Sequence, residues 1–412
     1  MEEIKKEIIE KVILVAVADQ DTTEAEESLD ELEELVKTAG AEVAARVIQV
    51  RETPHPGTYI GKGKIDEVNA LLHGTDATGI VCDDELSLAQ ISNLEEALDT
   101  KVMDRTLIIL DIFAKRAFTR EGKIQVELAQ LKYRASKLTG QGRALSRLGG
   151  GIGTRGPGEK KLEMDRRLIR TRISRLKAEL RDVVKHREVQ RKQRQKNHLP
   201  VVCIVGYTNA GKSTLLNHFT NAGVYEEDQL FATLDPTTKS LDLSGGQTIL
   251  MTDTVGFIRK LPHHLVEAFK STLEEAKYSD LILHVVDASN PQKEKQMEAV
   301  YDTLKQLGAN ESLIITAFNK IDLLNGDEIL KDPNAEAVVR ISGKNGEGTD
   351  QLLEQIEKIL QKQKLYLEKL YGYQEAGKIQ LIRSHGQLLK EEYRDDGIYV
   401  EAYIPKEILG SI

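Results

Sequence analysis

The clearest chemical signal in the sequence is a short glycine-rich stretch, residues 206–213, that reads GYTNAGKS. It matches the pattern G-x-x-x-x-G-K-[ST] and lies between an apolar run that predicts a strand, Val201–Val205, and a helical pattern, Thr214–Phe219. Glycines in this setting let backbone N–H groups surround phosphate oxygens, and the start of the helix adds positive potential. Lys212 would then reach the β- and γ-phosphates, and Ser213 would offer its hydroxyl to Mg²⁺.

A second segment, Asp253 to Gly256, reads DTVG and follows the apolar strand pattern Thr248–Met251. We expect the carboxylate of Asp253 to hold Mg²⁺ through a water molecule, and the N–H of Gly256 to sense the γ-phosphate. The next residue, Phe257, stands where many nucleotide hydrolases place a glutamine that orients the attacking water. Because a phenyl ring cannot do this, either the catalytic group comes from elsewhere or hydrolysis is slow until a partner acts.

Two further motifs have the chemistry to recognise a guanine base. Asn319 to Asp322 (NKID) follows the strand pattern Leu313–Ala317, and a carboxylate at Asp322 can accept both N1–H and N2–H of guanine, which adenine cannot supply. Asn319 would brace the loop, and Lys320 would lie along the plane of the base. Residues 342–344 (SGK) would close the pocket through backbone N–H groups to guanine O6. Together, the motifs predict that the nucleotide is GTP rather than ATP.

In their types and order, these motifs resemble those of the translation-factor-related class of P-loop GTPases. Residues 231–238 (FATLDPTT) resemble switch I of that class, in which a threonine binds Mg²⁺. We assign this role to Thr233. Thr237 and Thr238 are alternatives, because the segment offers three threonines within six positions.

The resemblance also implies roles for individual residues. Related GTPases with an asparagine at the position of Asn209 bind K⁺ beside the phosphates, where the ion stands in for an arginine finger. The predicted catalytic residues are Lys212, Thr233 and Gly256, and the predicted Mg²⁺ ligands are Ser213, Thr233 and Asp253. The predicted GTP-binding residues are Gly206, Tyr207, Thr208, Asn209, Ala210, Gly211, Lys212, Ser213, Thr214, Asp253, Asn319, Lys320, Asp322, Ser342, Gly343 and Lys344.

Charge is segregated along the chain. Its 57 Lys+Arg and 66 Asp+Glu give a net charge of −9, which by itself argues against a nucleic-acid-binding protein. Residues 111–200, however, contain 25 Lys+Arg and 9 Asp+Glu, a net charge of +16, whereas the other 322 residues have a net charge of −25. A solvated surface explains mixed charges well but explains an excess of this size poorly, so we expect this segment to contact a polyanion.

The same basic segment has a helical pattern. Apolar residues recur at steps of three, four or seven in two stretches, 124–138 and 162–183, as in the seam between packed helices. Between them, residues 140–158 contain eight glycines, three arginines and no acidic residue. Two seams separated by one loop predict an antiparallel helical hairpin with a flexible basic tip.

The whole chain is therefore predicted to be a multidomain α/β protein. Residues 1–110 alternate strand and helix patterns and predict a mostly parallel α/β domain. The helical hairpin occupies residues 111–199, the P-loop GTPase domain residues 200–362, and a small α+β C-terminal domain residues 363–412.

Composition also limits the compartment in which the protein can work. The two cysteines, Cys82 and Cys203, lie in strand patterns and predict buried free thiols in a reducing environment. No apolar run approaches the ~20 residues of a membrane-spanning helix, and the acidic start is unlike a secretory signal. We therefore expect a cytoplasmic protein without membrane insertion.

Two longer segments narrow the resemblance from a class of GTPases to one family. Residues 122–131 (GKIQVELAQL) and 149–159 (GGGIGTRGPGE) resemble the hallmark segments of HflX-type GTPases, and residues 61–64 (GKGK) resemble the N-terminal signature of that family. The resemblance implies binding to the large (50S) ribosomal subunit and GTP-dependent splitting of stalled or idle ribosomes under stress. The arginines of the hairpin tip are then the expected rRNA contacts, in a protein that is monomeric when free. They are Arg143, Arg147 and Arg155.

Two other interpretations remain open. The hairpin could belong to a GTP-gated module that binds rRNA or ribosome-assembly intermediates without splitting ribosomes. Alternatively, the N-terminal domain could act as an ATP-dependent RNA remodeller, since the resemblance implies ATP-linked activity there for some members of the family. Residues 61–64 could bind phosphate in that domain, but they also fit a turn before the helical pattern Ile65–Leu72.

Overall fold

The computed structural model describes residues 9–145, 157–196, 199–220, 230–231, 236–245, 247–260, 275–309, 312–324, 326 and 328–412. The chain divides into two compact units. Of the described residues, the first unit comprises those within 9–181, 230–231 and 260, and the second comprises those within 182–220, 236–259 and 275–412. Within the described ranges, no helix is both long and apolar enough to cross a lipid bilayer.

A four-stranded parallel sheet, in the order β2-β1-β3-β4, organises the first unit. Its elements follow in the chain as β1 (Lys11–Ala18), α1 (Thr23–Ala39), β2 (Glu42–Val50), α2 (Lys62–Thr75), β3 (Gly79–Cys82), α3 (Leu88–Leu98), β4 (Lys101–Asp104) and α4 (Arg105–Arg116). The central strand β1 is buried from Val12 to Ala16, as expected of an apolar strand in a parallel sheet covered by helices. The parallel α/β fold predicted for the N-terminal region is therefore confirmed.

Two long helices follow, α5 (Arg120–Leu145) and α6 (Pro157–Lys196). Their apolar seams meet, because Ile124 of α5 and Leu176 of α6 lie in one buried cluster. Further along α5, the carbonyl of Leu138 accepts a hydrogen bond from Arg166, which lies earlier in α6. The two helices are thus antiparallel, as the seams predict. Residues 146–156 of the predicted tip lie outside the described residues.

The second unit contains a six-stranded sheet in the order β10-β9-β8-β5-β7-β6, in which β6 alone among these strands is antiparallel to its neighbour. Its elements are β5 (Val201–Gly206), α7 (Lys212–Thr220), β6 (Thr237–Asp242), β7 (Thr248–Asp253), β8 (Leu281–Asp287), α8 (Lys293–Leu307), β9 (Ile314–Asn319), β10 (Ala337–Arg340) and α9 (Thr349–Lys362). The carboxyl ends of the parallel strands lie at one edge, which is where open α/β sheets bind ligands. Cys82 in β3 and Cys203 in β5 are buried free thiols, as predicted.

A smaller antiparallel sheet, in the order β11-β13-β12, ends the second unit. Its elements are β11 (Leu365–Tyr371), α10 (Ala376–His385), β12 (Gln387–Arg394) and β13 (Gly397–Ile404). Along β13, Ile398, Val400, Ala402 and Ile404 are buried and alternate with more exposed residues. These residues pack with Ile382 of α10, so one face of the strand lies in the core and the other is more exposed.

Candidate functional site

The predicted phosphate loop connects β5 to α7 at the carboxyl end of a buried strand. Its path requires glycine at Gly211, which has a φ of +90° and where a Cβ would lie 2.3 Å from Nδ2 of Asn319. Asn209 also has a positive φ, +60°, and its side chain is exposed. The loop therefore turns tightly just before the N-terminus of α7, which is the geometry that lets backbone N–H groups face a phosphate.

Lys212 is the first residue of α7, and its ammonium group is buried within the loop. Its Nζ donates hydrogen bonds to the carbonyl oxygens of Gly206, at 3.1 Å, and Tyr207, at 2.7 Å. Burial lowers the pKa of Lys212 to about 8, although the nearby carboxylate of Asp253 acts in the opposite direction. The loop thus holds a desolvated cation on two neutral carbonyl groups, and anionic phosphate oxygens are stronger partners for it.

Ser213 and Asp253 lie together at the position predicted for Mg²⁺. The Ser213 hydroxyl donates a 2.8 Å hydrogen bond to Oδ2 of Asp253, which is fully buried at the end of β7. The adjacent Thr254 is fixed by a 2.8 Å hydrogen bond from its hydroxyl to the carbonyl of Ile204. Hydroxyl and carboxylate oxygens are ligands that Mg²⁺ prefers, so this pair fits the ion chemically.

The switch I candidates have different surroundings. Thr237 lies opposite Asp253 in the antiparallel pairing of β6 with β7. The hydroxyl of Thr238 is 2.9 Å from that of Thr252. Thr233 lies outside the described residues, so its assignment as the Mg²⁺ ligand stays a prediction.

The chain that follows β7 returns to the phosphate loop. A Cβ at Gly256 would lie 2.8 Å from Cγ2 of Thr208 and 3.0 Å from Nζ of Lys212, so the close approach depends on glycine. Phe257 is 3% exposed, its N–H donates to the carbonyl of Gly206 at 3.1 Å, and its carbonyl accepts the N–H of Thr208 at 2.8 Å. The buried ring has no polar atom to orient water, but the backbone of Phe257 fixes the loop. The motif pattern gives no signal for this backbone role.

The hydroxyl of Thr208 is buried, and it has no hydrogen-bond partner among the residues that the structure describes. An unsatisfied buried hydroxyl costs about 1–3 kcal/mol and is rare in native proteins. Its position inside the phosphate loop makes it a group that a bound nucleotide could satisfy.

The base-recognition motif is tied to the phosphate loop through Asn319. Its Nδ2 donates to the carbonyl of Ala210 at 2.8 Å, and its Oδ1 accepts the N–H of Gly343 at 2.8 Å. The hydroxyl of Ser342 donates a 2.6 Å hydrogen bond to Oδ1 of Asp322, which orients that carboxylate. The structure therefore brings the two predicted base-recognition motifs together beside the loop.

Lys320 has a φ of +62°, and its Nζ forms an ion pair with Oδ2 of Asp287 at 2.8 Å. Asp287 is absent from the sequence-based predictions. Its signal is its place at the end of the apolar strand β8, which matches the place of Asp253 at the end of β7. Lys344 is exposed, and Thr214 is half-buried in the first turn of α7.

The predicted rRNA contacts fall outside the side chains that the structure describes. Arg143 lies in α5, in a part of that helix where side chains are not described, and Arg147 and Arg155 lie outside the described residues. Their assignment stays a prediction.

Three protein families match successive parts of the chain. They are GTP-binding GTPase N-terminal over residues 26–114, GTP-binding GTPase Middle Region over residues 116–194, and 50S ribosome-binding GTPase over residues 201–320.

Individual relatives match nearly the whole chain. GTPase HflX of Lacrimispora saccharolytica is 68% identical over 99% of this chain and 96% of its own length, and GTPase HflX of Escherichia coli strain K12 is 47% identical over 80% of this chain and 78% of its own. Among solved structures, a complex of SsGBP with GDP is similar with a TM-score of 0.49 and 24% identity, over 85% of this chain and 98% of that one. Since the relatives are this similar over this much of the sequence, the chain belongs to the HflX family of GTPases, P-loop enzymes that hydrolyse GTP.

Proposed function

We propose that this GTPase binds the large ribosomal subunit and, in its GTP-bound state, splits stalled or idle ribosomes under stress. The observation that carries the proposal is the net charge of +16 on residues 111–200, most of which form the two long antiparallel helices α5 and α6. Such a hairpin suits contact with rRNA phosphates, whereas the net charge of −25 on the remaining residues does not suit general coating of nucleic acid. The family description "50S ribosome-binding GTPase" supports the same partner.

For the nucleotide, we propose the roles that the contacts of the site support. Phosphate oxygens would accept hydrogen bonds from the loop N–H groups. They would also replace the carbonyl oxygens as the partners of Lys212. Asp322 would accept the guanine N–H groups, and Asn319 would hold the base and phosphate segments together through its two hydrogen bonds. Gly256 would offer its N–H to the γ-phosphate from its position against Lys212.

For the metal, Ser213, Asp253 and a switch I threonine, with Thr233 as the first choice, would hold Mg²⁺. The ion would offset negative charge on the phosphate oxygens. Because Phe257 offers no group to orient water, we propose that the ribosome supplies the missing catalytic help. A K⁺ ion beside Asn209 would add positive charge at the phosphates.

The experiment that tests ribosome splitting uses purified 70S ribosomes, the full chain and a non-hydrolysable GTP analogue. Sucrose-gradient profiles should show conversion of 70S ribosomes to 50S and 30S subunits. A matched variant with Arg143→Glu, Arg147→Glu and Arg155→Glu should keep GTP binding and lose splitting. If 70S ribosomes stay intact although the protein binds 50S subunits, the protein is instead a GTP-gated rRNA-binding or assembly module.

The N-terminal segment 61–64 has contacts that fit a structural role. Gly61 precedes α2, and its N–H donates to Oε1 of Gln49 at 2.8 Å. Lys64 forms an ion pair with Glu67 at 2.7 Å. Since these polar groups are already engaged, the observations favour the GTPase site as the source of activity. An RNA-remodelling activity that survives Lys212→Ala and needs ATP would reverse this preference.

A further inference from the structure

The chain that continues β7 toward the phosphate loop contains one residue more than the β5 chain beside it. In the parallel pairing of β5 with β7, Ile204 lies opposite Asp253, and a further bridge joins Tyr207 to Phe257. Two residues separate these two pairs on the β5 side and three on the β7 side. The longer stretch must therefore bulge, and bulges of this kind are common beside active sites.

Gly256 is the accessible residue of this bulge. Every other residue from 251 to 258 is buried, whereas Gly256 is partly exposed. Thr208 and Lys212 lie beside it, because a Cβ on Gly256 would be 2.8 Å from Cγ2 of Thr208 and 3.0 Å from Nζ of Lys212. The bulge thus places a glycine backbone next to the cation that is expected to reach the γ-phosphate.

Backbone and hydroxyl hydrogen bonds fix the two ends of the bulge. At its start, the hydroxyl of Thr254 donates to the carbonyl of Ile204 at 2.8 Å. At its end, the N–H of Phe257 donates to the carbonyl of Gly206 at 3.1 Å, and its carbonyl accepts the N–H of Thr208 at 2.8 Å. These bonds hold the bulge on the loop but do not reach the chain that leaves it.

The side chain of Tyr207 makes that further contact. Its hydroxyl accepts a 2.7 Å hydrogen bond from the N–H of Arg259, two residues beyond Phe257. A backbone N–H inside a protein needs an acceptor, and past the bridge at Phe257 the phenol oxygen supplies one. Because Tyr207 is 4% exposed, packing defines where that oxygen lies. The chain leaving the bulge is therefore held by the phosphate loop itself.

The phosphate loop does not need a phenol for its own path. Position 207 is one of the four that the pattern G-x-x-x-x-G-K-[ST] leaves open, so the pattern accepts any residue type there. What the phenol adds is a bond to Arg259, three residues after Gly256. The contact joins the two segments on which recognition of the γ-phosphate depends.

We propose that Tyr207 is a positioning residue for GTP, and that its hydroxyl, by holding the N–H of Arg259, keeps Gly256 in place for the γ-phosphate. The contact should matter for GTP and not for GDP, since GDP has no γ-phosphate. All the residues involved belong to the second unit. The inference rests on the proposed contact between Gly256 and the γ-phosphate and is independent of ribosome splitting.

The test compares Tyr207→Phe, which keeps the ring and removes the hydroxyl, with the unchanged full-length chain. Affinities for GTP and GDP are measured by titration with fluorescent analogues, and kcat is measured for GTP hydrolysis. GTP affinity should fall about three- to tenfold, the range for one hydrogen bond, while GDP affinity stays within about twofold. The kcat should fall as well, because a displaced Gly256 misplaces the reacting phosphate.

Tyr301→Phe is the matched control, because it removes a 2.6 Å bond from a phenol to Asp332 elsewhere in the same unit and should leave both affinities unchanged. Gly256→Ala is the comparison variant, since its Cβ would crowd Thr208. If Gly256→Ala lowers the preference for GTP and Tyr207→Phe does not, the positioning role is wrong although the Gly256 contact stands. If neither variant lowers it, the contact itself is wrong. An equal loss of both nucleotides in Tyr207→Phe would also overturn the proposal.

Amide hydrogen exchange gives a second measurement that needs no variant. In the unchanged chain, a non-hydrolysable GTP analogue should slow exchange in a peptide covering residues 255–260 more than GDP does. In Tyr207→Phe, exchange in this peptide should be faster, while the rest of the second unit exchanges as before. Equal protection of the peptide by both nucleotides in the unchanged chain would contradict the proposal.

Discussion

Nδ2 of Asn319 donates a 2.8 Å hydrogen bond to the carbonyl of Ala210, which joins the base-recognition motif directly to the phosphate loop. The same amide accepts the N–H of Gly343 through its Oδ1. One side chain therefore spans three segments that are more than 20 residues apart in sequence, and nucleotide affinity should depend on it as well as on the contacts to the base.

Asn319→Ala removes both hydrogen bonds and leaves a buried N–H without its partner. At about 1 kcal/mol for each bond and a similar cost for the unsatisfied group, affinity for both GTP and GDP should fall roughly 30- to 150-fold. Titration with a fluorescent nucleotide measures this loss. Asn93→Ala, which removes a 2.7 Å amide-to-carbonyl bond to Gly57 elsewhere, is the control and should bind normally. Unchanged affinity in Asn319→Ala would contradict the bracing role.

Asp322→Asn should change base specificity. The carboxylate is proposed to accept two guanine N–H groups, and bonds to a charged group contribute about 1.5–3 kcal/mol each, so GTP affinity should fall roughly 100-fold or more. An amide can instead donate to the O2 atom of xanthine, so affinity for XTP should rise. Competition binding with GTP and XTP measures both changes. Asp287→Asn alters the carboxylate that pairs with Lys320 and accepts hydrogen bonds from Ser289, and it should weaken GTP binding without any gain for XTP.

GTP affinity should also depend on the protonation of Lys212. Its pKa in the free chain is about 8, and the protonated form is the one that attracts phosphate. Bound phosphate raises that pKa, so affinity should hold steady between about pH 7 and 8 and then fall by up to tenfold per pH unit. Calorimetry at pH 8.5 in two buffers of different ionisation enthalpy should show uptake of a proton on binding. Binding that is independent of pH up to 9.5 would be inconsistent with this account.

A K⁺ requirement is the fourth prediction. If K⁺ binds beside Asn209, hydrolysis should be faster in K⁺ than in Na⁺ at equal ionic strength. Asn209→Ala should abolish the difference while GDP binding persists. Equal turnover of the unchanged chain in both salts would show that K⁺ does not contribute to hydrolysis.

Apolar runs predicted the positions of most buried strands to within one or two residues. The pattern Thr248–Met251 begins where β7 begins and ends two residues before it, and Val201–Val205 is one residue shorter than β5. These strands lie inside a mostly parallel sheet, so their composition alone marks them. β6 is different, because its sequence TTKSLD is polar and only partly buried at the sheet edge, and it gave no such signal.

Individual chemical motifs were predictable because their residues are local in sequence. The pairing of Lys260 with Asp83 was not, because the two residues are 177 positions apart and no periodicity connects them. The backbone bonds of Phe257 to the phosphate loop escaped prediction for a related reason, since a side-chain pattern carries no information on which loop a backbone will meet.

The most direct test of the central claim is GTP hydrolysis by the purified full chain with and without 50S subunits, in K⁺ buffer. We expect slow hydrolysis by the chain alone and strong stimulation by 50S subunits, of the order of the 10³-fold effect of catalytic groups supplied in trans. That result would indicate that the ribosome supplies the catalytic group that Phe257 lacks. Hydrolysis that is unchanged although the protein binds 50S subunits would contradict the claim.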